Sequence, residues 1–178
     1  MTNDAVSVRP AVCADASAIR AVCVAGWRTA YADLLPDGYV EANVETFYET
    51  ARLRREIADP GDAGRWLVAV AETGSAAASV VGAGRGTPPT DGDCEVFTLY
   101  VHPDAQGCGV GSELLRTMTA CQRAAGGRVQ FVDVFADHEG AIGFYESRGF
   151  ERYETRPADV VDGVDPNHRT VRLSRRIG

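Results

Sequence analysis

Between Leu99 and Leu115 the chain reads L-Y-V-H-P-D-A-Q-G-C-G-V-G-S-E-L-L, a β-type run that enters a helical run through a turn with three glycines. No other segment restricts the fold so strongly. Cys94 to Val101 (CEVFTLYV) is rich in β-branched and aromatic residues and reads as a central strand. Val110, Leu114, Met118, Cys121 and Ala125 recur at helical steps, and Gly126-Gly127 supplies the stop. A second strand, VQFVDVF at residues 129 to 135, follows, so the three elements predict a βαβ crossover with parallel strands. Where that helix starts, several backbone N–H groups lack intrahelical partners and the macrodipole is positive. Gly107, Gly109 and Gly111 let main chain approach an anion closely there. The turn is therefore a potential phosphate site.

The flanking sequence builds the rest of the sheet. Val6 to Arg9 alternates before Pro10 and reads as an opening strand. Asp15 is the predicted N-cap of a helix whose stripe includes Ile19, Val22, Cys23, Gly26, Trp27 and Tyr31, and LLPDG at 34 to 38 ends it. A single more polar helix is predicted from Val44 to Ile57, with Val44, Phe47, Tyr48 and Ala51 on one face. Trp66 to Ala71 and Ser79 to Gly84, joined by ETGS, predict a hairpin. Residues 139 to 147 form a short helix closed by Arg148-Gly149. Phe150 to Thr155 and Arg169 to Leu173 are the final antiparallel pair, separated by a loop at 156 to 168. No repeat or linker composition marks a second domain, which predicts one α+β domain over 1–178.

Composition removes several classes of function. With 178 residues, 45% hydrophobic and 24% charged, the chain can bury a core without staples. A net charge of -7 without a basic stripe argues against a nucleic-acid partner. The five cysteines form no CxxC, which points to reduced thiols and a cytoplasmic protein. Cys13, Cys23, Cys94 and Cys121 read as core or strand residues. His102, His138 and His168 lack metal-ligand spacing, so no metal is expected. No stretch approaches the ~18 to 20 apolar residues of a membrane span, and MTNDAVSVRPAV lacks a basic n-region and an apolar h-region, so a soluble, unexported protein is expected.

Three glycine motifs compete for the central turn. A phosphate-binding P-loop needs a lysine after the glycines, and none follows. A dinucleotide fingerprint needs glycine where Ser112 stands. Gln106-Gly107-Cys108-Gly109-Val110-Gly111 instead resembles the Q/R-x-x-G-x-G/A turn of the GCN5-related N-acetyltransferase (GNAT) family. Residues 138–150, H-E-G-A-I-G-F-Y-E-S-R-G-F, resemble that family's downstream N-x-x-A-x-x-F-Y-x-x-x-G-F signature in order and spacing. The likeness extends over essentially the whole chain, including the Trp27 and Tyr31 helix and LLPDGY. It departs at His138, where many relatives carry Asn.

That resemblance implies a mostly antiparallel mixed sheet in which strands 94–101 and 129–135 splay apart to admit acetyl-CoA. The coenzyme's diphosphate would sit on Gln106, Gly107, Cys108, Gly109, Val110, Gly111 and Ser112, and its arm would pair with backbone near Leu99, Tyr100 and Val101. His138 would take the place of the family's Asn. Tyr145 would protonate the leaving sulfur while Phe144 packs inward. Glu95 would act as the base or as a rim carboxylate that binds substrate charge. Cys108, without a His-Asp constellation, reads as a filler of the turn rather than a nucleophile. The segment from Trp27 to Tyr39, with Trp27 and Tyr31 foremost, and the 156–168 loop would border the acceptor. Asp33, Asp37, Asp159, Asp162 and Asp165 would either favour a cationic amine or serve as solvated turn formers. The implied activity is direct acetyl transfer to a primary amine of a small molecule or peptide, with a homodimer as the family-level expectation. The alternative is a non-catalytic acyl-CoA-binding regulatory module.

Overall fold

The strands in chain order are β1 (Val6–Pro10), β2 (Trp66–Ala71), β3 (Ser79–Gly86), β4 (Asp93–Val101), β5 (Val129–Phe135), β6 (Glu151–Pro157) and β7 (Arg169–Arg176). In the computed structural model, which describes residues 6–31, 33–35, 37–71, 78–158 and 168–178, they form one sheet ordered β1-β2-β3-β4-β5-β7-β6. Only β4 and β5 pair in parallel; every other neighbour is antiparallel. This is the mixed α+β arrangement that the sequence predicts.

Helices α1 (Ala16–Tyr31), α2 (Asp37–Phe47) and α3 (Thr50–Ala58) gather on one face around Ile19, Trp27, Val44, Leu53 and Trp66. On the other face α4 (Val110–Ala124) and α5 (Glu139–Glu146) pack Leu114, Met118 and Ile142 against Val96, Val132 and Leu173. Covered on both sides, β2 is buried at every position, which explains its unbroken apolar run WLVAVA. The close seat of α1 on β4 needs Gly26, because a Cβ there would lie 2.7 Å from the Tyr100 ring.

Four local expectations are corrected. The single helix from Val44 to Ile57 is two helices, parted at Tyr48 and Glu49. Glu49 is extended (φ -61°, ψ 130°), and its carboxylate accepts from the amides of Ala51 and Arg52, 3.0 Å each, so it caps α3. Asp15 precedes α1 but does not cap it. Its carboxylate accepts from the Val12 amide and from Arg9, both at 2.8 Å, and the Arg9 guanidinium holds the carboxyl below its ordinary range. Cys121 and Cys13 are exposed rather than core. On α4 the buried seam ends at Gln122, one step round from Cys121. Gln122 is tolerated there because its amide donates to Thr87 O (3.0 Å) and Glu95 O (2.9 Å). The ETGS turn of the β2–β3 hairpin lies outside the described residues; the pairing on either side of it is antiparallel.

Candidate active site

The β4–β5 ladder holds four pairs, Asp93↔Val129 to Val96↔Val132, and no pair beyond them. Past that point β4 follows β3 and β5 follows β7, so the sheet opens a gap. A bulge marks the place: Thr98 pairs with Arg85, but Gly86 pairs with Val96, leaving Phe97 without a partner and 54% exposed. His102 donates its amide to Val81 O at 2.8 Å. Strand alternation then turns the backbone of Tyr100 toward β3 and that of Leu99 and Val101 toward the gap. Leu99 and Val101 can thus receive an extended ligand along their main chain, whereas Tyr100 contributes its ring.

A cleft of about 600 Å³ runs from this gap to the glycine turn. Gly107 (φ +77°) and Gly109 (φ +82°) are left-handed, and Gly109 occupies the N-cap of α4 without a capping side chain. Glu113 is the first residue to close a helical bond, to Gly109 O at 3.1 Å. The amides of Val110, Gly111 and Ser112 therefore have no partner within the helix and are available to an anion. Arg148, from the turn after α5, donates to the Ser112 hydroxyl and stacks 3.7 Å from the Phe144 ring centroid. It brings a cation beside a turn that lacks a lysine. Of the residues expected to hold a cofactor, all line the cleft except Cys108, which is exposed.

Tyr145 and Phe144 both border the cleft, and Tyr145 is the more deeply buried, at 6% exposure. Tyr145 thus faces the cleft as expected, but Phe144 lines it too instead of packing wholly inward. Tyr145 packs edge-on against Phe144 and Phe150, and burial pushes its phenol well above the ordinary value. His138 is the N-cap of α5: its Nδ1 accepts from the Ala141 amide at 3.4 Å, and burial lowers its pKa. Its ring meets Tyr31 edge-on at 5.4 Å and faces the cleft.

A second chamber of about 260 Å³ lies under α1 and α2. Trp27, Tyr39, Tyr48 and Phe135 supply its aromatic walls, and Tyr31, Thr98, Tyr100 and Asp133 border the cleft as well. The Trp27 indole donates to the Tyr48 hydroxyl at 3.2 Å, and the Trp27 and Tyr31 rings meet at a tilt of 49°, 4.6 Å apart. Burial pushes the Tyr31 phenol up to about 12, so these hydroxyls are neutral hydrogen-bonding groups.

The carboxylate at the junction is Asp133, just beyond the last β4–β5 pair. It accepts from Arg156 and Arg172, each at 2.8 Å. Burial raises its carboxyl above the ordinary range, against the pull of the two guanidiniums. Glu95 pairs with the other arm of Arg172 and borders neither chamber. Asp33 is an exposed turn residue; the Asp37 side chain, Asp159, Asp162 and Asp165 lie outside the described residues. Sequence reasoning missed Asp133, which reads as an ordinary strand residue in V-D-V, and took Arg148 only as a helix stop. Among the described residues no group of His, Cys, Asp or Glu is placed to hold a metal ion, and no helix is long and apolar enough to cross a membrane.

Known proteins share this fold. The PaiA N-acetyltransferase from Thermoplasma acidophilum, solved with coenzyme A, superposes with a TM-score of 0.77 at 17% identity, over 97% of this chain and 99% of that one. YncA from Salmonella typhimurium, solved with acetyl-CoA, gives 0.71 at 22% identity, over 98% and 95%. In sequence, the N-alpha-acetyltransferase RimI of Mycobacterium tuberculosis is 39% identical over 70 residues, which are 39% of this chain and 41% of that protein. The aligned stretch thus spans about two fifths of that relative's length. The sequence profile of the Acetyltransferase (GNAT) family matches residues 27–150, from the chamber wall at Trp27 through the glycine turn to the end of the second motif. On that match the chain belongs to the GNAT acetyltransferase family.

Proposed function

We propose that the protein is an N-acetyltransferase that carries an acetyl group from acetyl-CoA directly to a primary amine entering through the aromatic chamber. The observation that carries this reading is the meeting of two openings at Asp133, where β4 leaves β5. The residues present suit the donor. Free amides at Val110, Gly111 and Ser112, with Arg148 beside them, fit a diphosphate, and the turned-out backbone of Leu99 and Val101 fits a peptide-like arm.

Acetyl-CoA supplies the thioester. An amine that arrives protonated cannot attack, so Asp133 takes its proton, helped by the burial that makes this carboxylate a stronger base than usual. Glu95 holds Arg172 from the other side and keeps the pair of carboxylates and guanidiniums fixed. As nitrogen bonds the carbonyl carbon and the C–S bond breaks, a backbone N–H facing the gap accommodates the carbonyl oxygen, Tyr145 gives its proton to the departing sulfur, and the second proton of the nitrogen restores the phenol. Rigid walls place the reactants in line, which in ideal cases is worth roughly 7 to 11 kcal/mol.

Purified protein incubated with acetyl-CoA and an amine library, followed by free thiol and product mass, tests the reading. The chain contains no lysine, so it has no side-chain amine of its own to consume the donor. Turnover with at least one amine is the expected result; coenzyme binding without turnover identifies an acyl-CoA-binding module instead. Gly109→Ala places a side chain at φ +82°, which costs about 1 to 2 kcal/mol. The strain is expected to raise the KM for acetyl-CoA by about tenfold as the turn distorts, with kcat changed far less. An unaltered KM, measured by initial rates at saturating amine, would separate the turn from diphosphate binding.

A further inference from the structure

The charges in the acceptor chamber are unbalanced. Among the described residues three of its walls are arginines, Arg52, Arg85 and Arg156, against the single carboxylate of Asp133. Arg156 is already paired with Asp133. Arg85 is different: its side chain is 7% exposed, and its guanidinium lies between the rings of Trp66 (5.2 Å) and Phe97 (4.9 Å). Its Nη1 is 2.8 Å from Glu56 Oε2, yet the angles make no hydrogen bond, and among the described residues neither Nε nor Nη1 has an acceptor. Glu56 is also engaged elsewhere, accepting from Arg52 Nε at 2.8 Å and from the Trp66 indole at 3.0 Å. One carboxylate therefore serves two guanidiniums and an indole, and among the described residues one positive charge at that end has no carboxylate of its own. A buried cation with unmet donors is costly unless a ligand answers it.

Resting on the acetyltransferase reading above, we propose that the acceptor is a small zwitterion: a primary amine bearing an oxyacid anion that Arg85, with Arg52 beside it, recognises while the amine lies at Asp133. The simplest member of that class is an amino acid with an apolar side chain. A chamber of about 260 Å³ walled by aromatic rings suits one residue of that kind. Phe97 borders both openings and stacks on Arg85, so the anion seat belongs to the acceptor side of the gap. A peptide N-terminus offers its amine without a neighbouring carboxylate and leaves Arg85 unanswered.

The test compares matched acceptors. The common amino acids, their amides, the corresponding decarboxylated amines such as phenethylamine, aminophosphonates, and tetrapeptides are offered with acetyl-CoA and followed by product mass. The same compounds are titrated against wild-type protein with coenzyme A and followed by thermal shift. For at least one side chain, the acid is expected to exceed its amide and its decarboxylated amine in kcat/KM by about 10- to 100-fold, the usual weight of hydrogen bonds to a charged group. The advantage is expected to collapse to about threefold or less in Arg85→Gln and to narrow in Arg52→Gln. Because an amide lowers the pKa of its amine, it starts with more free base, so the comparison is biased against the expected result. The aminophosphonate shows whether charge alone or carboxylate shape is read.

Equal handling of acids and amides across the panel in both turnover and thermal shift, or preference for the tetrapeptides, overturns the proposal. So does a panel in which no compound binds. Selective binding of acids without any acetylation leaves the anion seat standing and refutes the activity instead. If Arg85→Gln does not fold, the wild-type comparison and the more exposed Arg52→Gln decide.

Discussion

Tyr145→Phe is expected to lower kcat by about 100-fold or more at saturating acetyl-CoA and amine, the range over which a positioned acid acts. Binding of coenzyme A should change little, within about threefold, because an oxygen that acts only on the departing sulfur contributes little to the ground state. Folding should survive, since the ring keeps its edge contacts with Phe144 and Phe150. Burial raises the phenol pKa, so the proton is present throughout the working range and an alkaline loss of activity should not come from this residue. Stopped-flow or steady-state rates for the variant, set beside a coenzyme titration, check both halves. Turnover equal to wild type with both substrates saturating refutes the acid role.

Asp133→Asn is the second large effect. Without a carboxylate at the junction the amine must lose its proton to water before it attacks, and kcat/KM at neutral pH should fall by about 100-fold or more. The deficit should shrink as pH rises toward the pKa of the amine, because free base then accumulates without help. The sign on the acid side follows from the raised carboxyl: wild-type activity falls as pH drops through that pKa and Asp133 is protonated. The Asn variant should lack that limb. A parallel pH profile, merely displaced downward, would assign Asp133 a structural part in holding Arg156 and Arg172. Glu95→Gln provides the contrast. It loosens Arg172 but leaves the junction carboxylate, so its profile should keep the acid limb.

These residues differ in how far the sequence exposes them. The glycine turn and the motif from His138 to Phe150 are legible because their chemistry is local: left-handed glycines and uncapped amides are set by neighbours within one turn of helix. Strand pairing around β4 is legible for a similar reason, through composition and the intervening helix. The break at Tyr48 is not, because a glutamate capping its own helix leaves no glycine or proline to mark it. Position 121 against position 122 turns on one residue of helical phase, and the buried choice is settled by acceptors at Thr87 and Glu95 that lie far off in the chain.

The site carboxylates show the same limit more sharply. Glu95 and Asp133 sit on adjacent strands, and spacing alone gives both an equal claim. Which one borders the two openings depends on where the ladder ends, at Val96 and Val132, and on Arg172, which lies 77 residues from Glu95. Arg85 is hidden for a related reason. In G-A-G-R-G it reads as a polar break, and only the convergence of Trp66, Phe97 and Glu56 buries it beside the chamber.

The central claim is that main-chain amides opening α4 grip a diphosphate and so direct the thioester to the gap. Calorimetric titration of the folded protein with coenzyme A and, separately, with pantetheine, which has the arm but no diphosphate, tests it directly. Clear heat with coenzyme A and binding weaker by about 100-fold or more for pantetheine is the predicted result, in keeping with several charge-assisted hydrogen bonds lost together. Equal affinities for the two, or no heat with coenzyme A at all, would contradict it.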